Sequence, residues 1–189
     1  MPSPEFEAFA TLLPLKRNMQ WGELQAYAGI NVVSPAYART LLIQGKLGAN
    51  AVISAGLRVV SRYPVVFLPE GAHFHGPLEI PDNPALCLVG NSLRVDGSML
   101  LYGCLALTEI GSDLLVDKDC DLSGCTSLKK IGRNLTVGRE LNLSSCSPEI
   151  VLPESGVIGE NLILPYDYDM ARLPESLEVN GEVLRGSIL

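Results

Sequence analysis

The sequence predicts a repeat solenoid, mainly β, of about six 21-residue coils with two short strands each, behind a small α-helical N-terminal cap. Three observations carry this. Sliding the chain by 21 residues aligns Phe74, Val95, Val116 and Val137, then Leu78, Met99, Cys120 and Leu141, then Ile80, Leu101, Leu122 and Leu143. Within a unit, Leu135 to Val137 and Leu141 to Leu143 read apolar–polar–apolar, the period of a strand with one buried face. Finally, 18 glycines and 13 prolines suit a chain that turns at short, regular intervals.

The cap is assigned to residues 1–46, which lack the repeat, and the solenoid to residues 47–189. Ser3 and Pro4 open a first predicted helix that ends at Pro14, and a second is expected from Trp21 to Ala28. A third starts at Ser34 and Pro35 and closes at Gly45, with both terminus signals present. Covering the apolar edge of the first coil is the physical reason for such a segment. The repeat then runs from Ile53, Leu57 and Val59 to a last partial unit at Leu177, Val179 and Val183. Gly97 and Gly138 are expected to turn the chain between the two strands of a coil. The stretch Cys-x-x-Leu-x-x-Ile-Gly is expected to return irregularly or as a helical turn.

Composition limits the function classes. With 47% hydrophobic and 19% charged residues this is a folded chain, and a net charge of −7 argues against nucleic acid and against anionic membranes as partners. No secretory signal and no run long enough to span a bilayer is visible, so a cytoplasmic protein is expected, or one secreted into a host cell without a classical signal peptide. Enzyme templates are missing: there is no G-x-S-x-G, H-E-x-x-H or Walker loop, and no cofactor is implied.

Four groups of residues stand out. Asn83, Cys104, Cys125, Cys146 and Asp167 share one repeat position and read as a ladder of small polar or thiol side chains. They would point inward at the turn and satisfy backbone groups. With no Cys-x-x-Cys spacing, the ladder is preferred to a metal site, and Cys120 reads as core packing. His73 and His75 lie on one outward face with Arg94 and Asp96 one coil on, and read as exposed histidines rather than as a metal site. Asp96, Asp113, Asp117, Asp119 and Asp121 read as a solvated acidic face without calcium-loop spacing. The outward column Arg58, Glu79, Leu100, Asp121, Asn142, Ile163 and Leu184 mixes apolar and charged residues. Leu100, Tyr102, Asp121, Asn142, Ile163, Tyr166 and Tyr168 on or near it are the candidate contact surface for a protein partner.

The segments LNLSSC, DLSGCTSLKKIG and ARLPESLEV resemble leucine-rich repeats, most closely the short bacterial kind, here as LxVxGxLxLxGCxxLxxIG over residues 51–183. The resemblance implies a non-enzymatic module that binds another protein through its strand-lined face, and permits an effector acting on a host protein. Two other classes are weighed. One is a self-assembling module pairing through the strand edge at Val179 to Val183, as a homo-oligomer. The other is a β-solenoid enzyme using His73 or His75.

Overall fold

The computed structural model describes residues 32–186. They form a parallel β-solenoid of about seven coils, mainly β with little helix, and the strands are numbered β1–β19 along the chain. The first sheet holds β1 (Val32–Val33), β2 (Val52–Ile53), β5 (His73–Phe74), β8 (Arg94–Val95), β11 (Leu115–Val116), β14 (Leu135–Val137), β16 (Gly156–Ile158) and β18 (Leu177–Val179). The second holds β3 (Leu57–Arg58), β6 (Leu78–Glu79), β9 (Met99–Leu100), β12 (Cys120–Asp121), β15 (Leu141–Asn142), β17 (Leu162–Leu164) and β19 (Val183–Arg185). A third sheet, β4 (Phe67–Leu68), β7 (Leu88–Val89), β10 (Glu109–Ile110) and β13 (Lys130–Ile131), runs through the return path, where no strand was expected. The two-residue apolar steps there are long enough to exchange hydrogen bonds with the next coil, and parallel stacking rewards this.

Pairing follows the 21-residue period, as in His73 with Arg94, Leu100 with Asp121 and Leu88 with Glu109. The three aligned apolar columns point inward and are buried throughout. Among the described residues, Asn83 is the one buried polar side chain in an otherwise apolar core.

Corners between sheets have a periodic backbone. Asn50, Gly71, Ser92, Asp113 and Asn134 occupy one left-handed column, and Asp82, Gly103, Gly124 and Ser145 another. Asparagine, aspartate and glycine tolerate this conformation best. Gly97 and Gly138 lie in the bends between the two strands of their coils, as expected, without a positive φ. A Cβ at Gly97 would sit 2.7 Å from the Pro77 backbone nitrogen, so the missing side chain lets one coil approach the next.

Helix α1 (Pro35–Ile43) replaces part of the first coil. Ser34 caps it by accepting from the Tyr37 amide at 3.4 Å, Pro35 opens it, and Gly45 follows at φ +65. Ala38 and Leu42 face inward against β3, which closes the edge of that coil. β1, from within the segment assigned to the cap, already pairs with β2. The two earlier predicted helices, from Pro4 and from Trp21, lie outside the described residues. No described helix is long and apolar enough to cross a membrane.

The last coil departs from the column pattern. Asp167, expected in the inward ladder, is exposed, and Tyr168, expected on the contact surface, is 1% exposed. A carboxylate between apolar coils would lack a partner. The chain slips by one residue instead, and the Tyr168 ring fills the space. Its hydroxyl donates to the Arg172 carbonyl at 3.3 Å, at the end of a 3₁₀ turn spanning Met170–Arg172.

Candidate functional site

The second sheet brings Leu100, Asp121, Asn142 and Ile163 into one outward row on successive coils. All four are half-buried. Two of them have local duties: Asp121 Oδ1 accepts from the Ser123 amide at 2.9 Å, and Asn142 Oδ1 from the Ser144 amide at 3.0 Å. Each side chain thus closes the turn two residues on. Tyr102 and Tyr166 are 37% and 48% exposed at the rim of this face, whereas burial removes Tyr168 from it.

Sequence reasoning missed a larger apolar surface. Along the corner between the second and third sheets and on the adjoining outer face of the third, Val60, Tyr63, Val66, Phe67, Leu88, Tyr102 and Leu105 are all exposed, Leu105 to 58% and Val66 to 52%. They come from three successive coils, those of β3, β6 and β9. In later coils the same columns carry Ser123, Thr126, Lys129, Lys130, Ser144 and Ser147, with Val151 an exposed apolar exception. The signal was present as a change of residue class along a column, but the inward-facing columns drew the reading. Beside this corner, Arg39, Arg58, Arg62, Ile43, Val60 and Tyr63 line a cleft of about 510 Å³. Arg39 Nε donates to the Arg58 carbonyl at 2.9 Å, and the Arg62 guanidinium lies 4.9 Å from the centre of the Tyr63 ring. Residues 32–69 contain Arg39, Lys46, Arg58 and Arg62 and no acidic residue, against a chain net charge of −7.

The ladder takes its geometry from the stacking. Cys104 Sγ donates to the Ile80 carbonyl at 3.2 Å, Cys125 to Leu101 at 3.2 Å and Cys146 to Leu122 at 3.1 Å, so each thiol serves a carbonyl of the preceding coil. Asn83 does more at the same position. Its Oδ1 accepts from the Val65 amide at 3.3 Å and its Nδ2 donates to the Tyr63 carbonyl at 2.9 Å. Burial pushes the Cys104 thiol up to about 11 and Cys146 up to about 12, and raises Cys120 and Cys125 as well. Thiols in this state are protonated at neutral pH and are poor nucleophiles and metal ligands.

On the first sheet, the histidine pair meets Asp96. A hydrogen bond of 2.8 Å joins His73 Nε2 to Asp96 Oδ1, and another of 2.8 Å joins His75 Nδ1 to Asp96 Oδ2. Arg94 Nε donates to Oδ1 at 2.8 Å, and its other end lies 4.0 Å from Asp117. Burial would raise the Asp96 carboxyl, but the hydrogen bonds from Arg94, His73 and His75 outweigh it and hold the group well below the usual carboxylate range. His73 is half-buried, not exposed as expected. The acidic face is also dispersed. Asp96 and Asp117 stand on the first sheet, Asp119 pairs with Arg139 at 3.6 Å, Asp121 lies on the second sheet and Asp113 at a corner.

These features define a parallel β-solenoid repeat protein whose outer faces carry distinct chemistry. No family model, no curated protein and no solved structure matches this chain.

Proposed function

We propose that the chain is a non-enzymatic protein-binding module. Its contact surface is the apolar patch on the coils of β3, β6 and β9, continued into the arginine-lined cleft and flanked by Leu100 of the second sheet. One observation carries this reading: seven exposed large apolar residues gather on three successive coils, and most of their columns turn polar further on, with Val151 the apolar exception. The hydrogen-bonded coils fix the backbone beneath them, so binding has mainly side chains left to order. Arg58 pairs with Glu79 at 3.5 Å, and the remaining positive charge of Arg39 and Arg62 favours a partner segment that combines apolar anchors with Asp or Glu. The leucine-rich-repeat resemblance supports the same class, and in an effector-like role that partner is a host protein.

Selection from a random peptide-display library tests this reading. Enriched peptides should combine acidic and aromatic or aliphatic residues and bind less tightly as salt rises. Val66→Glu/Leu105→Glu should abolish their binding, and Leu100→Glu/Ile163→Glu should weaken it less, with all variants melting as the parent does. Binding lost only in the second variant would move the contact to the row on the second sheet. If no peptide is enriched and the molar mass shows an oligomer that dissociates in Val183→Pro, the self-assembling module replaces this reading.

A further inference from the structure

We propose that His73, His75 and Asp96 form a binding site for a divalent transition-metal ion of the zinc class on the outer face of the first sheet. The three potential ligand atoms lie within 4.8 Å of one another. A tetrahedral ion with bonds of about 2.0–2.1 Å holds its ligands about 3.3–3.4 Å apart, so small side-chain rotations close the site. Two imidazole nitrogens and a carboxylate oxygen suit zinc, nickel, cobalt or copper better than calcium or magnesium, which prefer all-oxygen shells.

The scaffold explains why these atoms converge. His73 and His75 are two residues apart, so their side chains leave the same face of the chain. Asp96 occupies the position 21 residues after His75, one coil further along. The rings lie 4.0 Å apart, centre to centre, tilted by 48°, and each turns a nitrogen toward the same carboxylate. Those nitrogens become the ligands when each neutral imidazole carries its proton on the other ring nitrogen. Asp96 Oδ2, which Arg94 does not touch, is the ligating oxygen. Oδ1 keeps the Arg94 bond and so orients the carboxylate from behind. Arg94 also opposes a cation through its charge, and Asp117 at 4.0 Å partly offsets that. Partial exposure of all three ligands leaves a fourth position open to water or to a donor from a partner.

Titration of the chelator-treated full chain with Zn²⁺, and separately with Co²⁺, decides the matter. Wild type should take up one ion per chain, and the Co²⁺ spectrum should show visible absorbance without thiolate charge-transfer bands. His75→Ala and Asp96→Asn should each lower affinity by more than about 100-fold, beyond what loss of a supporting hydrogen bond costs. Cys87→Ser should change nothing. All variants keep the apolar core and should remain folded in chelator, with the His and Asp96 variants melting only a little lower for the hydrogen bonds they lose. No uptake by wild type overturns the proposal, as does affinity that survives in His73→Ala/His75→Ala or that is lost in Cys87→Ser.

Discussion

Raising the pH from about 8 to about 10 should strip this fold of much of its stability, because of its buried thiols. An ordinary cysteine loses its proton near 9, whereas burial pushes Cys104 up to about 11, Cys146 up to about 12, and Cys120 and Cys125 up as well. Above pH 9 the unfolded chain releases these protons and the folded chain keeps them. The unfolded state then binds fewer protons and stability falls as pH rises. Below the unfolded value the contribution is fully present, and it is lost progressively through the folded values. Each such thiol costs about 1.4 kcal/mol per pH unit in that window, so four thiols cost about 5 kcal/mol at pH 10. A typical domain has about 5–15 kcal/mol in all. Urea unfolding under reducing conditions at a series of pH values measures the slope. Cys104→Ala should make it shallower by about 1.4 kcal/mol per pH unit. Lysines and exposed tyrosines contribute equally to both proteins and cancel. Equal slopes for the parent and the variant would refute the buried-thiol argument.

Leu122→Asp and Leu143→Asp should each unfold the solenoid, since a charge between stacked coils finds no partner, at a cost above about 4 kcal/mol. Asp121→Ala and Asn142→Ala should each cost only about 1 kcal/mol, the worth of one turn-closing hydrogen bond, and comparison of the four melting curves tests the inward phase. Tyr168→Ala should cost about 3–5 kcal/mol, against about 1 kcal/mol for Tyr168→Phe, which loses only the bond to the Arg172 carbonyl. Near-equal denaturation midpoints for these two variants would show that the ring does not fill the last coil.

Most of the fold was legible because a parallel solenoid pairs each residue with the one a single period away. The aligned columns Phe74 to Val137, Leu78 to Leu141 and Ile80 to Leu143 therefore specified strand register and core together, and Ser34, Pro35 and Gly45 marked α1 by ordinary capping chemistry. Periodicity also placed Asp96 beside the histidines. It could not show that both imidazoles would turn toward that carboxylate, because side-chain rotation follows local hydrogen bonding and not spacing.

Three further features were decided by tertiary structure. The third sheet arises because two-residue apolar steps in neighbouring coils come within hydrogen-bonding distance once the coils stack. The exchange of Asp167 for Tyr168 comes from the cost of burying a carboxylate, which a repeat alignment does not weigh. The apolar patch exists because Val60, Val66, Leu88 and Leu105, drawn from different column positions, are all left outward where the chain passes from the second sheet to the third. Sequence by itself determined which residues recur and face inward, since strand alternation and repeat length suffice for that. The path around each corner decided which outward residues share a surface, because that depends on the bend between sheets.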